Sequence, residues 1–560
     1  MESRRRPVTQ FVLPLVLALV ASACSGSSGG GGGDGEGAEG GILRIGTSSG
    51  LTSLNPFVGF NQDDYSVWMY IYPSLLMYDT TTPTYDFLPG FAKEWSQSED
   101  GMTVTFETLP GATWSDGEPL NAEDVVFTFE MIKEFEKTQT AQWAGSVTFL
   151  ETIEATGENT IVATYDRPAG TALYDLGLTP ILPPQVWEPL AAAKEIKRFP
   201  NEPEGGEPLV GGGPFLLTEY RKNDIALFEA NPSYYGTKPL IDGFGLQFFR
   251  DEDAMITALK TDQLDAINEI PPTAVETLRS AGMEVYEGPA LALRDVIFNL
   301  DPEGQQRGEL LDPRVREAME YAIDRQAIVD TAWLGFATPG STIVPEGNAT
   351  QGVDWHDPDI QPLPYDIAKA NEILDSLGYA KGSDGIRVAE GEPMEYEVVF
   401  PLDEAGAGDR AFRIIQQGFE QIGVRLVQQR LDTNAAWNAM YDKGRYVFEL
   451  AMWDWFPAAD PDFILAVLTC DQWGNWNDTG YCTDEYDQLY TEQKEAVDPL
   501  DRQQVVFEMQ QLAFDARPYI ILTYDRRLDA WSKNWTGFVP STQGIFNNFS
   551  TQSLTSVHQA

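Results

Sequence analysis

The chain has 560 residues, too many for one hydrophobic core to organise, so at least two lobes are expected once targeting segments are set aside. Hydrophobic residues at 42% and aromatic residues at 12% are the proportions of a folded protein rather than a disordered one. With 37 basic against 86 acidic residues, the formal charge of −49 repels a phosphate backbone and makes nucleic acid a poor partner. So much acid reads as a solvated, self-repelling surface. Two histidines, His356 and His558, and three cysteines, Cys24, Cys470 and Cys482, are too few for the clustered ligands of a structural zinc or iron–sulfur site. Carboxylates are plentiful, but neither an EF-hand loop nor a glycine-rich calcium repeat occurs, so no metal and no cofactor is expected.

In chain order, Arg4, Arg5 and Arg6 precede the apolar run Phe11 to Val20, and Ala21, Ser22 and Ala23 follow it, the layout of a secretory signal peptide over 1–23. Cys24 comes next, and Ala-Ser-Ala-Cys resembles the bacterial lipobox, in which the cysteine is acylated and anchors the protein to the membrane. The alternative is a cleaved, freely soluble protein with an incidental cysteine. Residues 24–41 then read as the lipidated cysteine and a glycine- and serine-rich tether that cannot bury a core. No later stretch has about 18 consecutive apolar residues, so the body is expected outside the bilayer.

From Gly41 strand-like and helix-like pieces alternate. Ile42 to Ile45 is a short apolar strand ending at Gly46, and Met102, Val104 and Phe106 alternate with threonines after the turn Asp100-Gly101. A helical pattern opens at Ala122, Val125, Val126 and Phe127. Asp312 is an N-cap with Pro313 at the first helical position, and Val315, Met319, Ala322 and Ile323 form one face. Ile367 to Leu377 repeats the helical spacing before Gly378, and Phe412 to Ile422 does so before Gly423, after which Val424, Leu426 and Val427 read as a strand. Helix, glycine and strand in that order point to an α/β lobe, and no fixed repeat suggests a solenoid or propeller. Cys470 and Cys482, close together in an oxidising compartment, are expected to form a local disulfide, with two buried thiols as the alternative.

Several ordered blocks are more specific than periodicity. Leu51 to Phe57 (LTSLNPF), Tyr72 to Asp79 (YPSLLMYD), Leu88 to Trp95 (LPGFAKEW) and Trp114 to Val125 (WSDGEPLNAEDV) resemble the family 5 extracellular solute-binding proteins, the peptide- and nickel-binding group of ABC importers. Gly213 to Phe215, Asn231 to Tyr235, Asp312 to Arg316, Tyr321 to Arg325, Tyr486-Asp487, Asp501-Arg502 and Pro518 to Ile520 follow in the family's order, so the resemblance covers almost the whole mature chain.

The resemblance implies an α/β, two-lobed periplasmic-binding-protein fold of type II with an extra subdomain, an interlobe cleft and a hinge. Residues 42–300 plus 525–560 would form the first lobe, with the subdomain inserted at about 76–208, and 301–524 the second. Val296 to Asn299 and Leu522 to Tyr524 would be the crossings between lobes. Function follows as expectation: a monomeric, non-enzymatic substrate-binding lipoprotein of an ABC importer, which captures small peptides, or oligosaccharides as the runner-up, and delivers them to permease subunits driven by separate ATPases. The chain itself has no phosphate-binding G-x-x-x-x-G-K-[ST] loop.

Trp453 to Asp462 matches the second-lobe loop that carries, in peptide-binding relatives, an aspartate for the α-amino group beside a tryptophan. Here Pro457 stands at that aspartate's position, so Asp454 or Asp460 would have to substitute, with Trp453 and Trp455 as flat walls. Core packing for the tryptophans and turn-capping for the aspartates is the competing account. Asn55, Asn299 and Tyr524 complete the candidate ligand contacts, each with a purely structural role as the alternative. From a different class, Gly46-Thr47-Ser48-Ser49-Gly50 fits the G-x-S-x-G pattern of serine hydrolases, but residues 51–57 read as a turn rather than the required helix, and only His356 and His558 are available as base.

Overall fold

The computed structural model describes residues 40–48, 50–82, 84–200, 207–402, 406–546 and 550–560. The expected signal peptide, Cys24 and the tether up to Glu39 lie outside the described residues, as does Ser49 of the hydrolase-like pattern.

Strand β1 (Ile42–Thr47) opens the body and is followed, after an irregular stretch, by helix α1 (Gln62–Ile71). The expected end of this strand at Gly46 is passed: Gly46 and Thr47 stay extended because parallel neighbours flank them on both sides, Gln247 and Phe248 on one and Ile267 and Asn268 on the other. A four-stranded sheet comes next, built from β2 (Ala92–Gln97), β3 (Thr103–Thr108), β4 (Leu150–Gly157) and β5 (Thr160–Tyr165) in the order β2-β3-β5-β4. Helix α2 (Ala122–Phe135) packs on it, started by a capping box in which Asn121 and Asp124 satisfy each other's backbone amides. The short helix α3 (Ala172–Gly177) follows.

Strands β6 (Phe215–Arg221), β7 (Ile225–Ala230), β8 (Gly243–Phe248), β9 (Ala266–Asn268) and the long β10 (Glu284–Phe298) return to the sheet of β1. The segment expected to form the second lobe contains helix α4 (Pro313–Tyr321), strand β11 (Ala337–Pro339), helix α5 (Ile367–Ser376), strand β12 (Glu395–Pro401), helix α6 (Ala407–Gln421) and strands β13 (Arg425–Leu431) and β14 (Leu450–Trp455). Helices α7 (Asp484–Glu495) and α8 (Pro499–Ala516) precede the second long strand, β15 (Tyr519–Trp531). Together the strands make one eleven-stranded sheet in the order β13-β12-β14-β10-β15-β9-β1-β8-β7-β6, with β11 against β15.

Alternation fixes how the second lobe is buried. Val296, Phe298, Val398, Phe400, Leu450, Met452, Ile520 and Leu522 point to one core, shared with Val315 and Met319 of α4, Leu374 of α5 and Phe412 and Phe419 of α6. Their strand neighbours Ile297, Val399, Ala451 and Ile521 point to the other, shared with Val506 and Met509 of α8. A sheet covered on both faces explains why these strands read as continuous apolar runs. Asp312 caps α4 as expected, accepting from the Arg314 amide, but the helix stops at Tyr321, and Ala322 and Ile323 enter the same core from the turn beyond it.

The expected crossing segments belong to longer strands: β10, which ends just before Asn299, and β15 are antiparallel partners from Glu284↔Trp531 to Ile297↔Tyr519, with the ladder interrupted at three places between Glu287 and Asp295. The architecture is mixed α/β, with one large mixed sheet and a separate four-stranded sheet.

Candidate functional site

Close contacts join the segment around Gly170 to the end of α7. The amide of Gly170 donates to the carbonyl of Lys494 at 2.6 Å, and a Cβ on Gly170 would stand 1.9 Å from the carbonyl oxygen of Ala496, so only glycine permits this approach. Beside it Lys494, 1% exposed, reaches Asp175 of α3 at 3.1 Å and Asp462 of the second lobe at 3.2 Å. Burial pushes the Asp175 carboxyl up to about 7 against the pull of Lys494. Burial acts on Asp462 too, but Lys494 and Arg502 more than offset it and hold that carboxyl below its ordinary value.

The end of β14 carries the predicted Trp453, Asp454 and Trp455, and the loop leaving it carries Asp460. Asp460 accepts two hydrogen bonds from Arg502, both at 2.7 Å, and also the amide of Asp462 at 2.9 Å. The Arg502 guanidinium lies 4.7 Å from the ring centre of Trp355 and donates to Gln493. Asp454 lies 3.3 Å from Arg294, whose Nε donates to Asp525 at 2.8 Å. Both aspartates are therefore ion-paired within the protein. Trp453 is half-buried, its ring 6.4 Å from Trp437. Trp455 is buried and meets Phe463 and Trp476 edge to face, at 6.1 and 6.4 Å. The indole nitrogens of Trp455 and Trp476 are buried without a hydrogen-bond partner among the described residues.

The other predicted contacts spend their side chains on nearby backbone. Asn55 donates to the Ile196 carbonyl at 2.8 Å and accepts from the Phe57 amide, tying the 51–57 loop to the inserted region. Asn299 donates to the carbonyls of Tyr446 and Phe448. Tyr524 accepts from the amides of Ser341 and Thr342 and donates to the Thr342 carbonyl. Cys470 and Cys482 are joined as a disulfide. The hydrolase-like pattern sits at the end of β1 with no helix until Gln62, while His356 pairs with the Val344 carbonyl and His558 with that of Ser556.

A small crevice of about 10 Å³, room for about one water molecule, is lined by Tyr78, Thr80, Tyr85, Ala459, Ser541, Thr542 and Gln543. Three distant segments meet there: the strand-like region after Tyr72, the loop following β14, and the C-terminal return. A crevice of the same size around Tyr72, Gly213 and Tyr234 draws nothing from the second lobe. None of the residues predicted from sequence lines the first crevice, although Asp460 adjoins Ala459. Tyr78 lay in the recognised block Tyr72 to Asp79, whereas Gln543 carried no local signal beyond a polar turn.

Residues 86–475 match the model of the bacterial extracellular solute-binding proteins, family 5 Middle. The chain belongs to that family. It is 28% identical over 552 residues to Protein XP55 of Streptomyces lividans, covering 98% of this chain and 95% of the relative. The dipeptide-binding protein of Escherichia coli K12 is 24% identical over 502 residues, covering 84% and 87%. Among solved structures, the oligopeptide-binding protein AppA of Bacillus subtilis, in complex with a nonapeptide, superposes with a TM-score of 0.79 at 20% identity, covering 94% of this chain and all 100% of AppA. Membership makes the chain an extracytoplasmic solute-binding protein, and no helix among the described residues is long and apolar enough to cross a membrane.

Proposed function

We propose that the chain is the lipid-anchored substrate-binding subunit of an ABC importer, which captures small peptides at the interlobe seam and hands them to membrane permease subunits. The observation that carries the reading is the match of residues 86–475 to the family 5 solute-binding proteins, and a cargo held between two lobes would favour their closed arrangement. The names of relatives that bind a dipeptide and a nonapeptide support peptides as cargo. Cys24 after its run of small residues supports the anchor. Trp453 and Trp455 do not line the small crevice and are proposed as walls for cargo extending beyond it, while Asn55, Asn299 and Tyr524 hold nearby backbone.

Oligosaccharide is the second reading, favoured by the aromatic group Trp455, Phe463 and Trp476 with its two open indole donors. Mass spectrometry of compounds copurified from the native host, followed by calorimetry, tests both. Trp453→Ala and Trp455→Ala are expected to weaken binding by more than ~1 kcal/mol each. Unchanged affinity in both variants removes them from the site.

A further inference from the structure

The charges around the seam are already matched. Asp460 is held by Arg502, Asp454 and Asp525 by Arg294, and Asp175 and Asp462 by Lys494. The lining of the crevice consists of hydroxyls, a methyl and one amide, with no carboxylate. A cargo ammonium brought there would lose its water and gain no anionic partner, which is strongly unfavourable.

One lining group is uncommitted. Gln543 is 4% exposed, and its Nε2 is buried without a hydrogen-bond partner among the described residues. The turn that carries it is fixed on every side. Tyr85 shares hydrogen bonds with the hydroxyl and amide of Thr542, each at 2.7 Å, and Tyr286 donates to the Ser541 carbonyl at 2.9 Å. Ser541 and Gly544 pair through their backbones, and Asp529 accepts the Ile545 amide at 2.7 Å while also holding Arg527 and the Glu269 amide. At Gly544, φ is +90° and a Cβ would lie 2.1 Å from Asp529, so the backbone can follow this path only as glycine. A donor held still and left open in a buried place is costly unless something accepts from it.

We propose that Gln543 determines specificity at the seam by donating its side-chain amide to an uncharged oxygen of the cargo, so that the cargo presents a carbonyl or hydroxyl there rather than a free ammonium. The inference rests on the seam being the cargo site. An N-blocked peptide and an oligosaccharide both offer this chemistry, and the test separates them.

Calorimetry on the mature chain would use three probe sets: tri- to pentapeptides with a free amino end, the same peptides N-acetylated, and cello- and malto-oligosaccharides of matching length. The expected result is binding of the acetylated peptides or of the sugars, about tenfold weaker in Gln543→Leu. Gln543→Glu should shift preference toward the free-amino set, by supplying the missing anion. Thermal midpoints of both variants confirm folding, and Gln543→Asn serves as a smaller replacement if Gln543→Leu does not fold. Tight binding of free-amino peptides that acetylation abolishes would overturn the inference and leave the peptide reading standing. Unchanged affinity in a folded Gln543→Leu or Gln543→Asn overturns the role of Gln543. Binding of none of the three sets overturns this inference together with the proposed cargo.

Discussion

Lys494→Met is the most informative single change outside the crevice. The ammonium is 1% exposed and sits between Asp175 and Asp462, whose side chains are 5% and 6% exposed. Methionine keeps the length and apolar stem but leaves two buried carboxylates facing each other across the seam. Asp462 retains Arg502 nearby and the Gln493 amide at 2.7 Å, whereas Asp175 retains only the Thr171 hydroxyl, at 2.6 Å, and more distant charges. Removing one partner of a buried pair costs about 3–5 kcal/mol. With an unfolding entropy of about 2 cal/mol/K per residue, that lowers the thermal midpoint of the body Ala38–Ala560 by roughly 3–5 °C.

The loss depends on pH with a definite sign. Asp175 already titrates near 7 because burial favours its neutral form, and loss of Lys494 drives it further up. The variant can therefore neutralise Asp175 by taking up a proton, so its deficit is full at pH 8 and shrinks toward pH 5.5. Calorimetric melting at both values reads this directly. Adding Asp175→Asn to Lys494→Met should recover most of the deficit at pH 8, since the uncompensated Asp175 charge is gone and Asp462 keeps Arg502 nearby. A single variant that melts like wild type at pH 8, or one whose deficit is the same at both values, would refute the assignment of this triad as a buried, charge-balanced clasp.

Two further outcomes are expected. Burial raises Asp63 to about 6 and Asp64 and Asp478 to about 7, so the folded state keeps protons that the unfolded chain releases near pH 4. That contribution is complete below pH 4 and is lost as pH rises through 6 to 7, so the melting point should fall between pH 5.5 and 8, and less steeply in Asp478→Asn. Reducing the Cys470–Cys482 disulfide, which closes a loop with a sequence separation of 12, should lower stability by about 2–3 kcal/mol in urea titrations. Cys482→Ser should match the reduced protein, and an unchanged midpoint would show that the loop is held by other contacts.

Local chemistry made much of the second lobe readable. Asp312-Pro313 starts α4, and Gly378 and Gly423, with φ of +83° and +80°, end α5 and α6 where the spacing of apolar residues stops. The crossings were legible only as short apolar runs, because the length of β10 and β15 comes from pairing between segments more than two hundred residues apart. The site was harder for the same reason. Asp460 looks like an available carboxylate until Arg502, on the far side of the disulfide loop, is seen to hold both of its oxygens. Lys494 lies in an ordinary polar helix end, and nothing near it in sequence announces Asp175. Trp455 stands out in sequence as an aromatic residue, but the partners of its ring, Phe463 and Trp476, follow from the turn of the chain after β14.

The paired strands β10 and β15 limit how the body can flex. Sliding or unwinding one half relative to the other would shear a ladder of hydrogen bonds that both halves share, whereas folding the ribbon across its width leaves nearly all of them intact. The three irregular steps between Glu287 and Asp295 are where such a crease meets least resistance. A bend of the body at this pair would crease across the ribbon more readily than slide along it.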